Sequence, residues 1–162
     1  MRYKFTAILM ASICLILSCN TAYARDGVDE ETPLDVQIAA NKYGEQYDIC
    51  PELLEAIMYY ESRYTVDAEN GPCKGIMQIN AAYYTDRMDK FGITDYWDLE
   101  NNILLATDYL AELFKEYEDV GIVLGVYHGE SNAVSRGKEG NLSNYVKKII
   151  DKASELERIH GK

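Results

Sequence analysis

Along most of the chain the apolar residues recur every three or four positions, which is the period of an amphipathic helix. Thr32-Pro33 reads as a helix start, an N-cap followed by proline at the first helical position. Leu34, Ile38 and Ala39 give that helix an apolar side, and Gly44 or the stretch to Asp48 ends it. Ile49-Cys50-Pro51 opens a second helix, along which Leu53, Leu54, Ile57, Met58 and Glu61 follow at helical spacing. Residues 65–75 read as loop, punctuated most strongly by Asn70-Gly71-Pro72. Short helical pieces are expected over about 77–90, with Gly92 as a break and Asp98 as the next cap. Residues 99–117 form a long amphipathic helix with Ile103, Thr107, Leu110 and Phe114 on one face. Gly121 to Tyr127 is apolar throughout and fits a buried helix or a strand; 137–140 is loop. Ser143 caps a last helix, where Tyr145, Val146, Ile149, Ile150, Ala153 and Leu156 keep the 3.6 period. No alternating run signals a hairpin, and no repeat is visible. The expected fold class is all-α or nearly so, a single domain over 34–158.

The N-terminus follows a different logic. Arg2 and Lys4 precede an apolar run from Phe5 to Leu17, and Ala22-Tyr23-Ala24 places small residues where a signal peptidase reads them. The expectation is a signal peptide over 1–24, cleaved after Ala24, then a flexible leader over 25–33, with the product secreted or held in the cell envelope. Ile16-Leu17-Ser18-Cys19 offers a competing lipoprotein cut with Cys19 acylated, although Leu17 is large for that motif. No apolar run reaches the length of a membrane span, so the mature chain is expected to have none.

Charge then narrows the partners. The 162 residues carry 16 Lys+Arg against 27 Asp+Glu, a formal charge of −11. A nucleic-acid surface needs clustered cations, so the acidic balance argues against nucleic acid as a partner, a local basic face aside. Beyond the signal peptide two cysteines remain, Cys50 and Cys73. An even count in an exported chain suggests a disulfide, which by loop entropy would stabilise by roughly 3 kcal/mol; the alternative is two buried thiols. Cys50, Cys73, His128 and His160 lack the close pairs of a zinc site, so no metal or cofactor is expected.

Glu61 is the most informative position. It shares a helix side with Leu53 and Ile57, where a carboxylate is desolvated and its pKa rises. Such an acid suits protonation of a glycosidic oxygen near neutral pH; the plain alternative is a solvated glutamate at a helix end. The neighbourhood weighs between them. Glu61-Ser62 is followed by Gly75-Ile76-Met77-Gln78-Ile79, then Asn102-Ile103, Tyr109-Leu110, Val126-Tyr127-His128-Gly129, Ala133-Val134 and Asn144-Tyr145-Val146. In this order and spacing, over roughly 34–155, the chain resembles the soluble lytic transglycosylases, relatives of goose-type lysozyme.

That resemblance implies a lysozyme-like helical fold, peptidoglycan glycan strands as partner, and cleavage of the β-1,4 bond between MurNAc and GlcNAc. It implies Glu61 as the single acid/base, supported by Ser62. Gln78 would lie beside the sugar and the backbone around Met77 on the cleft floor. Tyr127 would bring its hydroxyl to Glu61, and Tyr145 would form the far wall. Plain core packing is the competing reading for Met77, Ile79, Tyr127 and Tyr145. The chain departs from the family at His128, usually Asn, at Gly129-Glu130, often Ala-Gly, and at Ala106, usually Gly. His128 would either donate the same hydrogen bond or only pack.

Ordinary glycosidases use two carboxylates, whereas these motifs supply one. One suffices if the sugar's own C6 hydroxyl attacks C1, giving a 1,6-anhydro end. The alternatives are a muramidase using water, with Asp67 or Glu69 as the second base, and a non-catalytic peptidoglycan-binding protein of the same fold. A serine hydrolase built on Gly129-Glu130-Ser131-Asn132-Ala133 with His160 is disfavoured because the fifth position is not Gly and strand–helix alternation is absent. The small size fits a local hole-maker serving a secretion or conjugation apparatus.

Overall fold

The computed structural model describes residues 31–162, and residues Thr32–Lys162 form one compact unit. The signal peptide, its cleavage site, Cys19 and all but the end of the leader lie outside the described residues. Among the described residues, seven helices and three very short strands follow in the order α1 (Leu34–Tyr47), α2 (Pro51–Ser62), β1 (Glu69–Asn70), β2 (Cys73–Lys74), β3 (Ile79–Asn80), α3 (Ala81–Phe91), α4 (Leu99–Tyr117), α5 (Val120–Tyr127), α6 (Ala133–Lys138) and α7 (Asn144–Ile159). The fold is therefore helical as expected, and the Gly121–Tyr127 stretch is helix. No helix among them is long and apolar enough to cross a membrane.

At the centre runs α2. Glu52 through Met58 are all buried, so nearly the whole circumference of the helix is covered. Packing of α1 and α7 against α2 supplies that cover. Leu54, Ile57 and Met58 join Ile76, Met77, Ile103, Leu110, Leu124 and Ile149 in a fully buried core, each large side chain contributing about 1.5–3 kcal/mol. Pro51 stands at the first helical position, where its missing N–H costs nothing. Asn80, Asp98, Asp119 and Ser143 cap α3, α4, α5 and α7 by accepting backbone N–H groups. Arg63, in the left-handed region at φ 54, ends α2 one residue after Ser62.

Four expectations are corrected. The buried stripe of α1 is Val36, Ala39, Ala40 and Tyr43, leaving Leu34 (71% exposed) and Ile38 (58%) in solvent. Two large apolar residues suggested the wrong side; Val36 with two alanines lets α1 approach closely, and Tyr43 completes the face. Thr32 does not cap α1: Pro33 holds the cap position, and the Thr32 hydroxyl lies 3.0 Å from Tyr64 Oη in the interior. Residues 69–80 form a small antiparallel sheet in the order β1-β2-β3. Glu69 stands opposite Lys74, and Cys73 opposite Asn80. Strands of two residues are too short to show alternation. Finally, α6 occupies Ala133–Lys138, overlapping the expected loop.

The Cys50–Cys73 bridge is not formed, and both thiols are free. Cys50 precedes the first turn of α2, whereas Cys73 lies beside Glu61 near its last. A helix rises about 1.5 Å per residue, so roughly 15 Å of α2 separates the two ends. A disulfide needs Cα atoms within about 7 Å.

Candidate active site

A cleft of about 510 Å³ opens at the C-terminal end of α2, within the range usual for ligand sites. Glu61, Cys73, Gln78, Tyr127 and His128 contribute to its lining. The helical register of α2 explains the position of Glu61. Leu53 and Ile57 on the same stripe are buried, and one turn later the stripe emerges where the β-sheet and α5 part.

Glu61 is 15% exposed and receives a short hydrogen bond from the Tyr145 hydroxyl on its Oε1. His128 Nδ1 stands 3.9 Å from the same oxygen. The His128 ring stacks on Tyr145 with centroids 3.6 Å apart and planes 13° apart. Burial raises the Glu61 pKa above its ordinary 4.5; the Tyr145 hydrogen bond and the nearby His128 act in the opposite sense without reversing it. The site thus holds a carboxyl biased toward its protonated form, with a donor already aimed at the charged form. Such a group can give up a proton and take one back. The Tyr145 phenol is itself pushed far above 10, by burial and then by the facing carboxylate, so it stays a donor.

The β-sheet side is held by one residue. Asn102 on α4 is fully buried. Its Oδ1 accepts from Met77 N at 2.8 Å, and its Nδ2 donates to Lys74 O at 3.1 Å and Tyr96 O at 2.8 Å. Gly75 lets the chain pass over this amide: at φ +78, an added Cβ would lie 2.2 Å from Asn102 Nδ2. Gln78, at φ 50, donates through Nε2 to Gly75 O at 2.8 Å and Ala68 O at 3.1 Å. Ser62 Oγ lies 2.8 Å from Ile76 O and 3.1 Å from Met58 O, joining the end of α2 to this turn.

These positions sort the sequence expectations. Glu61, Gln78, Tyr127 and His128 meet in the cleft. Ser62 is a tie between backbone segments. The Met77 side chain is fully buried in the core. The two tyrosines exchange roles: Tyr127 donates to Met77 O at 2.8 Å and fixes the turn, while Tyr145 engages Glu61. Asn102 belonged to the recognised pattern without a role; its signal was a polar residue on the buried stripe of α4. Tyr84 and Arg87 also line the cleft and carried no motif.

Other candidate chemistry lies elsewhere. Near the start of α2, Glu52 accepts from Lys162 Nζ at 2.7 Å and lies 2.9 Å from His160 Nδ1. Cys50 Sγ donates to Glu52 at 3.1 Å and approaches Glu157 at 3.5 Å. This cluster has three groups of metal-ligating type, but its carboxylate already faces two basic side chains, and burial holds the Cys50 thiol at a pKa of about 12. His160 is thereby committed to Glu52, and Ser131 is exposed in the turn after α5. A serine triad is not assembled.

The Transglycosylase SLT domain family matches residues 38–150. An X polypeptide of Escherichia coli is 30% identical over 159 residues, 93% of this chain and 82% of that relative. The X polypeptide of Escherichia coli K12 is 28% identical over 142 residues, 83% of this chain and 76% of that protein. Membrane-bound lytic murein transglycosylase F of Desulfosudis oleivorans is 28% identical over 86 residues, 52% of this chain and 17% of its own length. Among solved structures, an inactive mutant of the lytic transglycosylase Slt from Pseudomonas aeruginosa superposes with a TM-score of 0.69 at 17% identity, covering 80% of this chain and 25% of that one. That likeness bears on the fold, which is the lysozyme-like one of lytic transglycosylases.

Proposed function

The chain belongs to the transglycosylase SLT domain family, enzymes that cleave glycosidic bonds in peptidoglycan, and from that premise we propose that it is a lytic transglycosylase in which Glu61 is the only acid/base. The observation that carries the reading is the composition of the cleft wall. Among the described residues, Glu61 is the one carboxylate lining it. Asp67 and Glu69, the sequence candidates for a second base, are exposed, and Glu69 pairs with Lys74.

The chemistry then follows from one group. Protonated Glu61 gives its proton to the β-1,4 oxygen between MurNAc and GlcNAc as the C1–O bond breaks. The 2-acetamido group of the substrate stabilises the charge at C1. Glu61, now ionised and held by the Tyr145 hydroxyl, takes the proton of the C6 hydroxyl as that oxygen closes on C1. The acid is restored, and the muramic residue leaves as a 1,6-anhydro sugar. Gln78 and His128 border the sugar, and His128 stacked on Tyr145 keeps that phenol aimed at Glu61. Peptidoglycan as the substrate places the working protein in the cell envelope, and the signal peptide with cleavage after Ala24 is the proposed route to it.

The test is clearance of purified peptidoglycan by wild type and by Glu61→Gln. Gln keeps the shape and has no proton to give, so activity is expected to fall by at least 10²-fold. Melting behaviour should be nearly unchanged. A variant retaining half the wild-type rate would remove Glu61 from the mechanism.

A further inference from the structure

Helix α3 turns one stripe toward the cleft. Asn80 at its cap, then Tyr83, Tyr84 and Arg87, follow at i, i+3, i+4 and i+7, and all four line the same cleft as Glu61. Two of them are accounted for by packing. Tyr84 is buried, edge-on to Tyr109 at 5.8 Å, and Tyr109 lies 6.1 Å from Tyr127, so an aromatic floor runs from α3 to α5. Asn80 accepts from Ala82 N as the helix cap.

Tyr83 has no such account. It is 80% exposed, the highest of the large apolar residues left in solvent among the described residues, and the fold gains little from it there. One turn further, the Arg87 guanidinium sits 5.0 Å from the Tyr109 ring centre and 6.0 Å from that of Tyr84. Its Nε is 3.2 Å from Asp108 Oδ2, without the alignment of a hydrogen bond, and its Nη2 pairs with Glu112. Lys90 pairs with Asp108 as well. The charge of Arg87 is thus balanced by Asp108 and Glu112 beside it. The wall offers an aromatic face and a guanidinium already paired with carboxylates, which suits a neutral, oxygen-rich ligand better than an anionic peptide.

We propose that this stripe is a saccharide subsite, in which the exposed Tyr83 ring is the platform for the apolar face of one N-acetylhexosamine and Arg87 donates to its oxygens. The inference rests on the reading that the cleft takes a glycan strand. It makes Tyr83 a residue that sets affinity, leaving the bond-breaking step to Glu61.

The experiment is steady-state kinetics on glycan strands stripped of their stem peptides, for wild type, Tyr83→Ala and Tyr83→Phe. Loss of a stacking platform is expected to raise KM roughly tenfold with kcat within about twofold. Phe, which keeps the ring, is expected to restore the wild-type KM. Because Tyr83 is exposed, its truncation does not threaten the core. In parallel, Glu61→Gln protein titrated with N-acetylchitooligosaccharides of increasing length should bind the longer ones more tightly, and Tyr83→Ala in that background should remove the gain. An unchanged KM for Tyr83→Ala, or a Phe variant as poor as the Ala one, would overturn the subsite. So would a defect confined to intact peptidoglycan, which would point to the stem peptide. If wild type neither binds nor cleaves these strands, the glycan reading fails, and the subsite falls with it.

Discussion

A hydroxyl that donates to a carboxylate favours its charged form, so Tyr145 opposes the burial that raises the pKa of Glu61. Removing the hydroxyl should let burial act unopposed. In Tyr145→Phe the Glu61 pKa is expected to rise further above its ordinary 4.5, because a hydrogen bond that favours the charged form is lost. The acid form then survives to higher pH, and the alkaline limb of the kcat profile moves upward. The rate at the optimum should fall, because ionised Glu61 loses its partner when it must act as a base. A pH–rate series on peptidoglycan checks both effects; an alkaline limb that stays in place would mean that the Tyr145 contact is without consequence. The place of Glu61 on the stripe of Leu53 and Ile57 was legible because that spacing is fixed within one helix, whereas its choice as the acid rested on the motifs around it. The exchange between Tyr127 and Tyr145 was not, because it depends on how α5 and α7 lean over the cleft.

Helices announce themselves through period and caps, and here Asp98, Ser143 and Pro51 mark starts that the structure keeps. The small sheet has no such signature. It is held by contacts distant in sequence: the Asn102 amide takes Met77 N and reaches Lys74 O, and the Tyr127 hydroxyl reaches Met77 O. Gly75 is what the turn requires, since the backbone there takes φ +78 and the Asn102 amide lies against its α-carbon. Gly75→Ala is expected to be among the most destabilising changes in the sheet, at about 3 kcal/mol or more, because strain and a steric clash act together. Asn102→Ala is expected to cost a similar amount, since it leaves Met77 N, Lys74 O and Tyr96 O without their partner. Thermal melts with activity assays on the same samples check this; Tm within 1–2 °C of wild type for both, on the order of a few tenths of a kcal/mol, would contradict it. The face of α1 shows the opposite failure, where residue size pointed to Leu34 and Ile38 while close helix approach selected Ala39 and Ala40.

Across the whole molecule, α2 carries three acids whose environments differ. Burial alone would raise Glu52, but hydrogen bonds from Lys162, His160 and Cys50 hold it down at about 2. Glu55 is fully buried, and burial raises its pKa, outweighing the lowering by the nearby Thr32 hydroxyl. The signs for stability follow. Glu52 contributes stability that is present above its ordinary 4.5 and lost as pH falls toward about 2. Glu55 favours the fold below 4.5, and that contribution is lost as pH rises through its elevated value. Glu55→Gln should therefore match wild type in acid and melt higher at pH 8, by roughly 3–6 °C for about 1 kcal/mol. Glu52→Ala should cost only about 1 kcal/mol at neutral pH, because Lys162 is half exposed and regains water when its partner is removed. Neither effect was legible in the sequence: the first depends on α7 returning His160 and Lys162 to the start of α2, and the second on the packing around α2 that buries Glu55. The central claim is that one carboxylate performs both halves of the reaction. Its most direct test is mass analysis of the muropeptides released from purified peptidoglycan. The account expects 1,6-anhydro muramic ends, one water lighter than hydrolysed ends and inert to borohydride; reducible products carrying the extra water would contradict it.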